Sequence, residues 1–479
     1  ISECLVGSEM CIRDSYSLRA CAGEYRDAVE LAEYTINNQK DYILEELYKR
    51  KPDVLCFSCY IWNIDYVTDI AREYKKLCPS VPIWVGGPEV SYEVEAFLRE
   101  NPYIDGVMIG EGEDTFRELC GYYARKRKLS DIAGIAFRKN STGNSTSNST
   151  SVNNIGGNKA GEIVFTSPRP IKNMSEIPFC YDTLDDFSNR IIYYESSRGC
   201  PFSCSYCLSS VDKTLRFRDT RIVKRELKFF IDQKVPQIKF VDRTFNCNHA
   251  HAMELWRFIK ANDNGVTNFH FEISADLLNQ EELELISDMR PGLIQLEIGV
   301  QSTNEVTIKE IHRTMKLERL KEVVRLIQSG NNIHEHLDLI AGLPYEDYDS
   351  FGRSFDEIYE LKPNQLQLGF LKVLKGSYMF EHAAEYGIVY HDKPPYEVMS
   401  TKWLSFDDVI KIKRVEDMLE VYYNSGQFEI TMKVMEPLFE SAFAMFQGFG
   451  AFYEEKGYFG MSPVSYTHLR AHETLANLV

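Results

Sequence analysis

The run Glu195-Ser-Ser-Arg-Gly-Cys200-Pro-Phe-Ser-Cys204-Ser-Tyr-Cys207 constrains the fold more than any other stretch of the chain. Three thiolates spaced C-x3-C-x2-C can hold three irons of a [4Fe-4S] cube and leave the fourth iron open for chemistry. The competing readings are a zinc site or a chance spacing. Zinc sites usually pair C-x2-C with a second pair or with histidines; no second C-x2-C lies downstream, and the one H-x3-H pair there, His468 and His472, falls in the carboxyl-terminal stretch read below as a scar.

Beyond the cysteines, short β-rich runs alternate with amphipathic helical runs, as a parallel α/β barrel requires. The predicted strands are Ile191 to Ser196, Gln237 to Asp242, Phe269 to Ser274, Leu293 to Val300, Ile333 to Ala341 and Gln365 to Phe370. They occupy about 180 residues, fewer than the ~250 of a closed eight-fold barrel, so a partial (β/α)6 barrel with one open side is expected. Each strand ends in polar or small residues, at Asp242-Arg-Thr-Phe-Asn, Glu272-Ile-Ser274, Glu297-Ile-Gly-Val-Gln301-Ser302 and Asp338-Leu-Ile-Ala-Gly342-Leu-Pro344. Such barrels place their chemistry at those carboxyl ends.

The cysteine spacing and the ordered strand ends behind it resemble the radical S-adenosylmethionine (radical SAM) superfamily. The resemblance implies that Cys200, Cys204 and Cys207 ligate the cluster. It also implies that the open iron binds the cofactor's amino and carboxylate groups, and that reductive cleavage yields a 5′-deoxyadenosyl radical. Glu297-x-Gly299-x-Gln301-Ser302 is similar to the family's fourth-strand cofactor motif, and Gly342-Leu343-Pro344 to the fifth-strand turn beside adenine. Tyr206 sits where the family has an aromatic residue next to adenine, and Arg313 is placed to meet the carboxylate. Asp242, Glu272 and Ser274 complete the expected contacts, since a zwitterion with a ribose diol needs acidic acceptors, a cation and a close backbone approach. Taken singly, Glu272 or Asp338 reads equally well as a capping or salt-bridge carboxylate.

The amino-terminal third alternates in the same way. Pro52 to Tyr60 is a β-rich run, Ile64, Val67, Ile70, Tyr74 and Leu77 recur at helical spacing, and Val81 to Val85 leads into Gly86-Gly87-Pro88-Glu89. A helix follows from Tyr92, and Ile104 to Ile109 leads into Gly110-Glu111-Gly112-Glu113. This predicts a doubly wound, flavodoxin-like (Rossmann-type) sheet with a ligand at the carboxyl ends of its strands. The glycine turns resemble those of the cobalamin-binding domain that precedes many radical SAM domains, which implies contacts from Ser58, Gly86, Gly87, Glu89, Glu111 and Gly112. The Asp-x-His-x-x-Gly motif of many cobalamin proteins is absent, as it often is in this branch. A domain that keeps the fold only as scaffold is the alternative.

The two ends carry a different signal. Leu5 to Asp14 and Val464 to Glu473 can be encoded by opposite strands of one inverted DNA repeat, which resembles translated sequencing-adapter sequence. Residues 1–15 and 464–479 are therefore expected to be scars, and the cobalamin-binding-like domain, 16–126, to lack its first strand. A hairpin and linker fill 127–190, with Gly134-Ile-Ala-Phe and Glu162-Ile-Val-Phe flanking a Ser/Thr/Asn/Gly-rich tip at 140–158. The barrel is assigned to 191–380, and a mainly helical segment, clearest from Phe406 to Tyr423, to 381–463.

A formal net charge of −17 argues against a broad phosphate-binding surface, so a nucleic-acid partner is not expected. No run reaches the ~18 apolar residues of a membrane span. The scattered cysteines, Cys56, Cys59, Cys78, Cys120, Cys180 and Cys247 among them, fit a reducing cytoplasm, and Cys247 is the one placed to act as an active-site thiol. The expected activity is radical SAM chemistry, oxygen-sensitive, with cobalamin-dependent methylation or a related change at an unactivated carbon of a small molecule or peptide. A flavodoxin or ferredoxin would supply the electrons. The alternatives are a cobalamin-independent radical SAM enzyme of methylthiotransferase type, and a non-catalytic iron-sulfur electron-transfer or sensor protein.

Overall fold

The computed structural model describes residues 2–6, 9–139, 161–181, 183, 184, 187 and 190–460. They fall into two compact units, one reaching Asn189 and one starting at Arg190.

The first unit is a seven-stranded sheet with helices on both faces. In chain order it contains β1 (Ser2–Val6), α1 (Glu9–Cys21), β2 (Glu30–Tyr34), α2 (Lys40–Arg50), β3 (Leu55–Ser58) and α3 (Ile64–Leu77). Next come β4 (Ile83–Gly86), α4 (Val94–Glu100), β5 (Gly106–Met108), α5 (Glu113–Tyr123), β6 (Ile135–Arg138) and β7 (Ile163–Phe165). The strand order is β2-β1-β3-β4-β5-β6-β7, parallel from β2 to β5. Successive strand residues serve opposite cores, because side chains alternate across a sheet. Phe57, Val85 and Val107 join Ile70 and Tyr74 of α3, while Cys56, Trp84 and Met108 join Phe116 and Leu119 of α5. The chain order reverses between β1 and β3, the switch point where flavodoxin-like sheets bind ligands.

Two expectations change here. The slot expected to lack a strand is filled by Ser2–Val6, which pairs with both β2 and β3; backbone groups facing each other across that gap need a partner, and these residues supply it. The hairpin expected between Gly134-Ile-Ala-Phe and Glu162-Ile-Val-Phe is present, β7 pairing antiparallel with β6; what changes is that it belongs to the first unit's sheet, since β6 pairs antiparallel with β5 and covers what would be an open edge. The Asn-Ser-Thr tip and Val464 to Glu473 lie outside the described residues.

The second unit carries all six predicted strands, shorter at some ends. They are β8 (Ile192–Tyr194), β11 (Gln237–Phe240), β12 (Asn268–Ile273), β13 (Ile294–Gln301), β14 (His334–Ala341) and β15 (Gln365–Phe370), parallel and adjacent in that order. A two-residue pair, β9 (Ser197–Arg198) and β10 (Arg216–Phe217), brackets the cysteine loop. The intervening helices are α6 (Thr220–Asp232), α7 (His249–Ala261), α8 (Gln280–Ser287), α9 (Glu305–Glu310), α10 (Leu317–Gly330) and α11 (Tyr348–Tyr359). Their buried stripes, such as Val223, Leu227, Phe230 and Ile231 of α6, follow helical spacing.

After β15 come α12 (Tyr378–Glu381), a small hairpin of β16 (Val389–Tyr390) and β17 (Val398–Ser400), then α13 (Phe406–Leu419), α14 (Glu429–Met435) and α15 (Ala442–Glu455). Helices α13 and α15 pack on each other, and α15 also packs on α11. Among the described residues no helix is long and apolar enough to cross a membrane.

Candidate active site

The cysteine loop leaves β8 at Tyr194 and is pinned before it reaches Cys200. Asp242, just past β11, is fully buried, and its carboxylate accepts from Ser196 N at 2.9 Å, Ser196 Oγ at 2.7 Å and Ser197 Oγ at 2.5 Å. Burial pushes Asp242 up to about 6 against those three bonds, which favour the anion. On the far side Arg218 N donates to Ser196 O at 2.9 Å, and Cys200 N to Asp212 O at 3.4 Å. Gly199, at φ +90, lies so close to the returning strand that a Cβ would stand 2.6 Å from Thr214 O. Asp242 therefore holds the loop that carries the cysteines.

Cys200 is buried, and Cys204 and Cys207 are half-buried. Burial raises the Cys200 thiol, and the neighbouring Cys207 and Cys204 add to the shift, so a thiolate there needs a positive centre to stabilise it. Among the described residues no three His, Cys, Asp or Glu side chains converge as ligands of a single ion would. A cube would take the three thiolates on three separate irons.

Arg313 joins this loop to β13. One terminal nitrogen donates to Tyr206 Oη at 3.2 Å and lies 3.9 Å from Cys204 Sγ; the other donates to the carbonyl of Gly299. Beside it the register of β13 slips between Gly299 and Gln301, and Gln301 adopts φ +76. The Gln301 side chain folds back over Gly299, where a Cβ would collide with its amide nitrogen. Gln301 Oε1 and Arg313 Nε are buried with no hydrogen-bond partner among the described residues. Orphaned polar atoms are costly, and two of them beside the cysteines are what a bound polar ligand would satisfy.

The remaining barrel residues divide. Burial alone would raise Glu297, but His270 Nε2 and Lys239 Nζ, each 2.9 Å away, hold it down at about 2. Glu297 is thus held ionised by two partners inside the barrel. Glu272 and Asp338 are raised chiefly by burial, with the Glu297 charge adding to both. Ser274 donates to Asp276 Oδ1 at 2.8 Å and shapes a turn. Leu343 is fully buried, and Gly342, at φ +88, faces Val398 so closely that a Cβ would lie 2.7 Å from its Cγ1. Cys247 is pushed up to about 11 by burial first and Cys200 second, so its thiol stays protonated at neutral pH.

In the first unit the expected glycines serve the chain itself. Gly87, at φ +110, would place a Cβ 2.5 Å from Cys59 O, and Gly112 would place one 2.9 Å from Leu18 Cδ2. Gly86 is less tight, 3.4 Å from Met108. Ser58 is buried and its carbonyl accepts from Asn63 Nδ2 at 2.9 Å, while Glu111 accepts from Lys172 N at 3.0 Å. Glu89 is half-buried in the turn after β4, where its N donates to Cys59 O at 3.3 Å. Open space lies instead over Gly110, exposed at φ +75, where a Cβ would meet no atom of the described residues within 4 Å. Just past β3, Tyr60 and Trp62 stack at 4.7 Å. Sequence reasoning missed this aromatic pair, although both rings stand at a strand's carboxyl end, where ligands bind.

Comparison with known proteins follows the same division. Residues 194–358 match the model of the Radical SAM superfamily, and residues 15–120 match that of the B12 binding domain. The chain carries a radical SAM domain and, ahead of it, a B12-binding domain. Residues 384–471 match a third model, a protein family of unknown function, DUF4080, and that match runs past Val464 into the stretch expected to be a scar. An uncharacterized methyltransferase of Pyrococcus horikoshii is 23% identical over 375 residues, covering 76% of this chain and 75% of that protein. The cobalamin-dependent radical SAM methyltransferase TokK of Streptomyces tokunonensis is 28% identical over 334 residues, covering 65% of this chain and 45% of TokK, so the chain spans less than half of it. Among solved structures, TsrM of Kitasatospora setae, a radical S-adenosylmethionine methyltransferase with cobalamin and a [4Fe-4S] cluster bound, shares the fold. Its TM-score is 0.64 at 15% identity, over 83% of this chain and 82% of TsrM.

Proposed function

We propose that the protein performs cobalamin-dependent methylation, or a related change, at an unactivated carbon of a small molecule or peptide. The observation that carries this reading is the Arg313 bridge, which brings the cysteine loop, Tyr206 and the β13 motif to one spot and leaves polar atoms there unsatisfied. Cys200, Cys204 and Cys207 would hold the cluster, while Arg313, Tyr206, Gly299, Gln301, Gly342 and Glu272 would surround S-adenosylmethionine. When bound, the cluster supplies one electron to the sulfonium and the corrinoid carries the methyl group. The protein fixes the loop through Asp242, offers a cation for a carboxylate at Arg313, and holds Glu272 and Asp338 in a buried setting that favours their neutral forms. A flavodoxin or ferredoxin in the cytoplasm would be the electron donor. The matched B12 model and the name borne by TokK support the corrinoid half.

Anaerobic reconstitution with hydroxocobalamin, desalting and a cobalt assay tests that half. About one cobalt per chain is expected at a single site. Full cluster content with no retained cobalt would leave the cobalamin-independent enzyme as the better account.

A further inference from the structure

One piece of chain touches three of the segments that bring proposed S-adenosylmethionine contacts to the site, those of Tyr206, Arg313 and Gly342. Met379 N donates to Ser205 O at 2.9 Å, next to Tyr206, while Ser205 N donates to Ile311 O at 2.9 Å. Tyr386 Oη donates to Glu310 Oε1 at 2.8 Å, at the end of α9 and just before Arg313. Val398 lies against Gly342, and the Trp403 ring packs on Tyr345 with centroids 4.4 Å apart. The piece is also fastened to the end of β15, where Val398 N donates to Leu371 O at 2.8 Å and Val373 N to Tyr396 O at 3.0 Å. It closes on itself where Lys402 N donates to Tyr386 O at 3.1 Å. From residue 384 onward it lies in the region of unknown function.

We infer that residues 377–404 form a strap that sets the spacing of Tyr206, Arg313 and the Gly342 turn, and hence the affinity for S-adenosylmethionine. The inference rests on the barrel being a radical SAM site. Its physical basis is that the three segments belong to different loops: α9 ties them on one side, with Ile311 O accepting from Ser205 N at 2.9 Å and Thr307 Oγ1 donating to Pro344 O at 2.9 Å, and the strap, fastened to the end of β15, is a second brace across the same three. Buried backbone hydrogen bonds and a ring contact from one strap give them a common frame, and a shift of about 1 Å in such a frame is enough to cost affinity or rate. The strap explains why Gly342 is glycine: the methyl groups of Val398 occupy the place of its Cβ.

The test uses the full chain with its cluster reconstituted anaerobically, and equilibrium dialysis against radiolabelled S-adenosylmethionine. Trp403→Ala is expected to raise the Kd about tenfold with iron and sulfide content unchanged, and Trp403→Phe to recover most of the loss, because a ring is what packs on Tyr345. A second readout is coupling: Gly342→Ala should weaken binding strongly with Val398 present, and less so when Val398→Ala removes the methyls it would strike. Unchanged Kd in Trp403→Ala, or equal losses for Gly342→Ala in both backgrounds, would overturn the strap. Absence of binding by the unaltered, cluster-loaded chain would instead defeat the radical SAM reading beneath it.

Discussion

Arg313 donates to acceptors on two different elements, the Tyr206 hydroxyl and the Gly299 carbonyl, and a planar fork can do both at once. Lysine cannot, so Arg313→Lys is expected to weaken S-adenosylmethionine binding by roughly tenfold or more while iron content is kept. Equilibrium dialysis of the reconstituted variant checks this. Glu335, at the start of β14, is fully buried, and burial pushes it up to about 8 against the Gln328 side chain, which favours its anion. A carboxyl raised on folding stabilises the protein while it is protonated, so its contribution is present below the ordinary carboxylate range and is lost as pH rises toward 8. Glu335→Gln removes that loss; melting curves should show the variant gaining on the parent from pH 5 to pH 8, by a few kcal/mol at the upper end. A gap that stays constant with pH would contradict it. The sequence showed that Arg313 and Gln301 stood near the cofactor motif, but it did not separate Glu297 from Glu272. Both are strand-end carboxylates, and only packing shows that Lys239 and His270 reach the first of them.

Elements were legible where their pattern was local. The six barrel strands and the β3 to β5 strands declare themselves through apolar runs ending in polar or glycine turns, and each is present. What was not legible depends on distant partners. The β6–β7 hairpin joins the sheet because β5 offers an edge, and the β16–β17 hairpin is set by contacts with Gly342 and the end of β15. Glycines show the same limit. Sequence reasoning marked Gly87 only by its resemblance to a cobalamin-binding turn, and did not show that the turn after β4 presses on the backbone of Cys59. Gly87→Ala is therefore expected to loosen the β3–β4 turns whether or not a corrinoid is bound, costing roughly 2 kcal/mol or more from the strained φ and the clash. Amide exchange at Cys59 and Glu89, whose backbone bonds cross that contact, should speed up; unchanged exchange would show that the turn absorbs a Cβ.

At the scale of the whole molecule, two α/β units each carry a ligand-binding edge of known type: the β1/β3 switch point in one and the strand ends of a partial barrel in the other. Cys200→Ala, Cys204→Ala and Cys207→Ala should each abolish the ~400 nm absorbance of the reconstituted chain, because a missing thiolate leaves an iron without its protein ligand, while Cys78→Ala should retain it. Full iron and sulfide in the triple alanine variant would place the cluster elsewhere. The most direct measurement of the central claim is 5′-deoxyadenosine, detected by mass spectrometry after the cluster-loaded chain is mixed anaerobically with S-adenosylmethionine and a strong reductant. The account predicts 5′-deoxyadenosine from the unaltered chain and none from Cys204→Ala. A chain with a full [4Fe-4S] complement and bound S-adenosylmethionine that forms no 5′-deoxyadenosine would contradict it, and would favour the electron-transfer or sensor alternative.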